Sequence, residues 1–309
     1  MAEGDSNKMD VEQPSSKVNT TKKASVSKSG PNPSSSPESA SQYPDMEVAQ
    51  NIHRLIMKNN GKLDLTELKK QEELGTIPTN LKETLQSKIM TELENPALYR
   101  YCMTHIHDFD NDDNKDTKQK LQELEEKNKL KLQELEKAVE DAKESAGDME
   151  VLDARFEIAR FAAKSLSKDD ALDAYNKILL LPKLSSGKTI DAYMEVSRVA
   201  SFYNDTNACV DFTNKAMKKA ADWDRRNRLR VYNALQKLSS RDIKDAAALL
   251  IECIATFSCT ELCTYKDFVV YTIISNLLHL PRTELKEKII DGPEILTLVG
   301  EIPIVVSYF

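Results

Sequence analysis

Between His105 and Asp116 the chain gathers two histidines and five aspartates: His105, His107, Asp108, Asp110, Asp112, Asp113 and Asp116. These are the residue types that hold hard or borderline cations. Asp108, Asp110 and Asp112 match the first, third and fifth ligands of a calcium loop. The sixth position of such a loop needs glycine for its sharp turn, and here it is Asp113. The twelfth needs a bidentate glutamate, and here it is Gln119. A zinc site through His105 and His107 lacks a third ligand at a suitable spacing. The expectation is a solvated acidic loop with no bound metal.

Gly187-Lys188-Thr189 resembles the end of a phosphate-binding loop, but Pro182 stands where that loop needs its first glycine. The preceding "YNKILLLPK" reads as the end of a helix rather than a buried strand. The tripeptide is therefore expected in an interhelical turn, with Ser185 or Ser186 near a helix start. Cys253, Cys259 and Cys263 form no CxxC pair, and His279 is distant in sequence. They are expected as buried thiols rather than as redox or zinc ligands. No Ser-His-Asp, GxSxG or HExxH arrangement is visible, so no catalytic residue and no cofactor is expected.

The sharpest local feature is "DWDRRNRLRVY", Asp222 to Tyr232. An aromatic among four arginines can read as a nucleic-acid site. A structural or protein-interface use is favoured, because extended basic faces rather than single runs mark nucleic-acid binding. In that use Asp222 or Asp224 caps a helix, where orphan N–H groups and the dipole favour an acid. Trp223 is expected to pack on the preceding helix. Arg225, Arg226, Arg228 and Arg230 are expected to bridge to acidic neighbours or partners.

Composition agrees with an interaction protein. The 309 residues are 40% hydrophobic and 30% charged, with a net charge of −7 that argues against bulk phosphate binding. Only 8 glycines, with abundant Leu, Ala, Lys and Glu, favour helices. Five cysteines without framework spacing suit a reducing compartment. There is no apolar leader at the N-terminus and no run long enough to span a membrane, so a cytoplasmic and nuclear location is expected. Asn204-Asp205-Thr206 fits a glycosylation pattern that such a chain would not use.

Four regions emerge from the pattern. Residues 1–42, rich in Ser, Pro, Lys and Asn, form a disordered tail. Residues 43–116 form an N-terminal helical region, with Val48, Ile52, Leu55 and Ile56 at helical spacing and "DLTELKKQEEL" among its short helices. Residues 117–149 read as one long charged helix. Its seam of Leu132, Leu135, Val139, Ala142, Ala146 and Met149 is short, and Glu125 and Asn128 before it are polar. That favours packing on its own chain over a dimeric coiled coil. Residues 150–309 then settle into helix pairs. The first helix of each pair carries an aromatic (Phe161; Phe202 and Tyr203; Tyr232), and the second carries small residues (Ala171 and Ala174; Ala208; Ala246 and Ala247). The pairs recur about every 37 residues, close to the tetratricopeptide period. The fold class is all-α: a degenerate, TPR-like helical-repeat solenoid.

At "DWDRRNRLRVY" the chain resembles the family of proteasome lid subunits called non-ATPase regulatory subunit six. The likeness continues through "RDIKDAAALLIECIATFSCTEL" and "YKDFVVYTIISNLLHLPRTELKEKIIDGPEILTLVGEIP", and covers residues 150 to 305 closely. "NPALYRYC" and the long helix resemble the family more loosely. Asp222, Trp223, Asp224, Arg225, Arg226, Asn227 and Arg228 are then the family motif, structural or interfacial in role. Ala220 and Ala221 stand where the family usually has glycine. The signalosome's first subunit shares the architecture but lacks so close a counterpart of "DWDRRNR" and "DGPEIL", and is the alternative.

The resemblance implies a right-handed helical-repeat arm leading into a PCI domain. Its role would be a non-catalytic scaffold of the regulatory particle lid, supporting ubiquitin-dependent protein degradation. Its partners would be other lid and base subunits, with no small molecule, nucleic acid or membrane. The lid's isopeptidase chemistry belongs to another subunit with a zinc-protease motif. The family pattern continues past the position of Phe309 into a winged helix, so an incomplete PCI domain is expected. The end "IPIVVSYF" is apolar, an aggregation risk in a free fragment.

Overall fold

A computed structural model describes residues 44–61, 80–110, 115–220 and 222–298. All lie in one of the chain's two units, Glu38–Phe309. The tail over 1–42, the stretch "DLTELKKQEEL", Asp112, Asp113, Ala221 and "IPIVVSYF" lie outside the described residues. The chain is all-α, with no strand among the described residues.

The N-terminal region contains α1 (Met46–Asn59), α2 (Leu81–Lys88) with a π-helical turn at Ile89–Leu93, and α3 (Pro96–His105). The side chain of Asp45 accepts from the amides of Glu47 and Val48, which occupies two orphan donors at the start of α1. Val48, Ile52 and Leu55 recur at helical spacing and are buried with Leu85, Ile89, Leu98 and Cys102. Phe202, far along the chain, joins the same core and ties this region to the helix pairs.

The long helix α4 (Lys115–Ser145) packs on its own chain, against α3 and α5 (Asp148–Ser165). Its seam is only partly used: Val139 is buried, Leu132, Leu135 and Ala142 are half-buried, and Met149 lies in α5 and is exposed. Polar Asn128 is buried instead. Its amide donates to the carbonyls of Glu94 (2.8 Å) and Ser165 (3.1 Å). Glu94 has a left-handed backbone, φ 49°, where the chain leaves the π-helical turn. Asn95 donates to the carbonyls of Lys164 (2.8 Å) and Leu166 (3.0 Å), and Ser165 Oγ donates to Leu93 O (3.0 Å). Two asparagines and a serine thus satisfy carbonyls that the end of α5 and the preceding turn would leave orphaned.

Helix pairs come next: α5 with α6 (Lys168–Leu179), α7 (Ser186–Phe202) with α8 (Thr206–Lys219), and α9 (Trp223–Ser239) with α10 (Ile243–Cys253). The starts at Asp148, Ser186 and Trp223 keep the expected period. Each junction has a local cause. Ser167, Ser185, Asp205 and Asp222 accept backbone N–H groups as N-caps. Ala159, Ala171, Ala192, Ala200, Ala216, Ala234, Ala246 and Ala247 are fully buried, so neighbouring helices approach closely. In α7, buried residues occur on nearly every side, from Thr189 to Phe202, which marks it as the central helix of the arm.

Beyond the pairs lie α11 (Tyr265–His279), α12 (Arg282–Leu285) continuing as a π-helical turn at Lys286–Ile290, and α13 (Pro293–Leu296). Phe268, Val269 and Ile273 of α11 close the C-terminal core with Leu250, Cys253 and Cys259. Burying a side chain such as Phe268 contributes about 2–3 kcal/mol.

Candidate protein interface

Helix α9 starts at the expected motif. Asp222 adopts extended backbone and its carboxylate accepts from Arg225 N at 2.8 Å. That bond, with the arginine beside it, holds the carboxyl below the usual range. The motif then divides by direction. Asn227 is buried; its amide donates to Thr256 O (2.7 Å), and Thr256 Oγ1 donates back to its oxygen (3.0 Å). Arg225 reaches back to α7, Nε to Asp191 Oδ1 and Nη2 to Asp191 Oδ2, both 2.9 Å. Arg228 reaches forward, donating to Glu261 Oε1 at 2.5 Å. Arg226 donates to Ala220 O at 3.3 Å, and Asp224 and Arg230 are exposed. Two of the four arginines, Arg225 and Arg228, are therefore braces between successive layers of the arm.

Trp223 corrects the sequence expectation. It does not pack into the preceding helix and is 67% exposed. With Asp222 taking the cap, the indole sits at the first helical position, one turn before the first buried residue, Asn227.

The braces belong to a longer ladder, most of whose rungs join residues close to one repeat apart. Arg160 of α5 donates to both oxygens of Glu195 on α7, Nε at 3.2 Å and Nη2 at 2.8 Å. Tyr175 of α6, fully buried, donates to Glu195 Oε2 at 2.8 Å. Burial and the adjacent carboxylate push the Tyr175 hydroxyl well above its ordinary value. Arg198 of α7 donates to Tyr232 Oη at 2.9 Å, and Tyr232 Oη donates to Glu261 Oε1 at 3.2 Å. Lys188 closes a further rung to Asp153 at 2.8 Å. Arg198 is only 6% exposed. Burial works against its charge, and Tyr232, Glu195 and Glu261 more than offset that, so it stays protonated.

Between these rungs, α4, α5, α7 and α9 leave a cleft of about 750 Å³ with Leu135, Phe161 and Met194 among its walls. Three of the arginines along it are held in ion pairs, Arg160 with Glu195, Arg225 with Asp191 and Arg228 with Glu261.

The other sequence candidates resolve differently. The described part of the acidic stretch is less solvated than expected. Ile106 and Phe109 are buried, and Asp110 accepts from Tyr99 Oη at 2.8 Å. Apolar residues within that loop complete the N-terminal core, so only part of it faces water. Asp108 pairs with His107 at 2.8 Å, and among the described residues no three His, Cys, Asp or Glu side chains are grouped to hold a metal. Gly187, Lys188 and Thr189 form the first turn of α7, capped by Ser185. All five cysteines are buried and unpaired; Cys259 and Cys263 lie in a non-helical segment and so share no helix face. The role of Asn128 was not visible in its sequence context, where a polar seam residue reads as solvated.

A family model described as 26S proteasome subunit RPN7 matches residues 117–288, which take in the long helix and every helix pair. The 26S proteasome non-ATPase regulatory subunit 6 homolog of Arabidopsis thaliana is 33% identical over 192 residues, 59% of this chain and 48% of that protein. The 26S proteasome regulatory subunit RPN7 of Saccharomyces cerevisiae is 34% identical over 182 residues, 58% of this chain and 42% of that protein. The Dictyostelium discoideum 26S proteasome non-ATPase regulatory subunit 6 is 32% identical over 183 residues, 58% and 48% of the two chains. The chain thus spans about half the length of the curated relatives it matches.

Proposed function

The chain belongs to the family of the 26S proteasome subunit RPN7, and from that membership we propose that it is a non-catalytic scaffold of the proteasome's regulatory particle lid. It would support degradation of ubiquitylated proteins by holding other lid and base subunits in place, in the cytoplasm and nucleus. The observation that carries this reading is the coincidence of the family match with a braced helical arm. Residues 117–288 hold every rung of the Arg160–Glu195, Arg225–Asp191 and Arg228–Glu261 ladder.

A solenoid presents a long surface of fixed curvature, and ion pairs spaced one repeat apart resist its bending. Arg225 and Arg228 are engaged within the chain, which disfavours a nucleic-acid role for the motif. The family match and the three relatives all carry proteasome names, which favours this reading over a signalosome subunit. We assign the chain no bond-making step, and no metal or cofactor. Its region after residue 150 would correspond to the arm that leads into a PCI domain.

The test is affinity purification of the tagged chain from its own cells, followed by mass spectrometry. Stoichiometric recovery of regulatory-particle subunits is expected. Recovery of signalosome subunits, or of the chain alone, overturns the proposal.

A further inference from the structure

A pocket of about 700 Å³ opens where α10 and α11 end, lined also by residues of α12, the π-helical turn after it and the start of α13. Four glutamates line it, Glu252, Glu284, Glu287 and Glu294, against one lysine, Lys288. Lys288 pairs with Glu284 at 2.7 Å and faces Glu287 more weakly. Among the described residues, the carboxylates of Glu252, Glu287 and Glu294 make no hydrogen bond or ion pair. Glu252 and Glu294 lie near neutral groups, the Cys253 thiol and the Tyr265 hydroxyl, and Arg230 of α9, also near that thiol, pairs with neither. Asn276 of α11 lines the same pocket and is 1% exposed. Its Nδ2 donates to Ala247 O (3.2 Å) and Thr272 O (2.8 Å), while its Oδ1 accepts no hydrogen bond. A buried acceptor left without a donor is costly. The last turns of α10 and α11 add the negative ends of two helix dipoles.

We infer that this pocket receives a basic segment of a partner protein, a lysine or arginine entering among the glutamates with its methylene stem on Ile251 and Leu280. Three features select a cation: unpaired carboxylates, two helix C-termini and an acceptor that lacks a donor. The apolar walls suit the long stem of such a side chain. Among the described residues no three His, Cys, Asp or Glu side chains are grouped to hold a metal. The carboxylates are therefore spread for cations carried along a chain rather than for one ion. Nucleic acids and anionic membranes are repelled by the same charge. The inference deepens the scaffold reading by giving the chemistry of one partner, but it is tested on the isolated chain.

The probe is a fluorescein-labelled peptide of about ten residues in which Lys and Arg alternate with Ala. It is titrated with the full chain by fluorescence anisotropy, beside a peptide with Glu in place of the basic residues. Binding of the basic peptide alone is expected, with a Kd on the order of tens of micromolar that weakens with salt. The chain carries a net charge of −7, so bulk attraction needs its own control. Glu252→Lys with Glu287→Lys, both exposed, should weaken binding at least about tenfold. Glu126→Lys with Glu144→Lys, exposed on α4, changes the net charge equally and should weaken it less than about twofold. Thermal unfolding should be alike in the two double variants. Carbodiimide coupling of the peptide's lysines to carboxylates should label Glu252, Glu284, Glu287 or Glu294. No binding at about 1 mM, equal binding of the Glu peptide, an equal loss from the α4 reversals, or coupling confined to other carboxylates each overturns the inference. Displacement by spermine at a lower concentration than by unlabelled peptide also overturns it, since the occupant would then be a free polyamine. If the peptide binds as expected but regulatory-particle subunits do not co-purify with the chain, the pocket stands and the scaffold assignment falls.

Discussion

Arg225 and Asp191 meet as a fork on a carboxylate, two N–H···O bonds of 2.9 Å between residues 34 apart in sequence. The pair fastens the first turn of α9 to the second turn of α7, so its geometry is also the geometry between repeats. Arg225→Lys keeps the charge and loses the fork. It should lower stability by about 1 kcal/mol in urea unfolding, a modest figure because both side chains are partly exposed. A loss no larger than that of an exposed control such as Lys215→Ala would show that the fork contributes nothing.

The repeat arm was legible in the sequence because its causes are local. Ser185 and Asp222, among the residues expected at helix starts, cap α7 and α9, and the alanines of each second helix announce close packing. The rungs were not legible. Glu195 receives Arg160 and Tyr175 from 35 and 20 residues away, and no propensity or period encodes which charges meet across such distances. Trp223 misled for the opposite reason. A tryptophan reads as buried by its type, whereas its placement at the first turn of α9 leaves it at the edge of the arm.

Asn128 is the clearest polar residue whose role only the fold reveals. It is 3% exposed and feeds two carbonyls that end other elements, Glu94 O and Ser165 O. Asn128→Leu should cost about 2–3 kcal/mol, since the carbonyls stay buried without their donor. Hydrogen exchange should rise first in α4 before Asn128 and in the turn at Glu94. Uniform loss across the whole chain, with no local excess, would count against a junction role.

His53 joins α1 to the end of α7. Its Nε2 is buried without a partner, and the ring hydrogen-bonds the backbone of Phe202. Burial lowers its pKa below the ordinary 6.5, the backbone bond opposing this only in part. The unfolded chain therefore binds a proton that the folded chain refuses. This contribution is fully present above about pH 6.5 and is lost as pH falls through that value toward the lowered folded pKa. Unfolding followed at about pH 5.5 and 7.5 should show the chain weaker in acid. His53→Leu should flatten that difference, and an unchanged slope in the variant would remove His53 from the account.

The five thiols should behave as packing groups. Burial pushes Cys102 and Cys263 up to about 12 and Cys253 up to about 11, with Cys209 and Cys259 also raised. Iodoacetamide at about pH 8 should modify the native chain on the order of a hundredfold more slowly than the urea-unfolded chain. One cysteine reacting at the free-thiol rate would reveal a reactive site that the packing does not predict.

The central claim is that this braced arm works inside the proteasome's regulatory particle. Its most direct test is glycerol-gradient sedimentation of cell extract containing the tagged chain, with each fraction assayed for ATP-dependent breakdown of a ubiquitylated substrate. The account predicts that the chain sediments with the heavy, active fractions and moves to the top when Arg225, Arg228 and Asn227 are replaced together. A chain that stays with light fractions in its unaltered form, well folded and away from the activity, would contradict it.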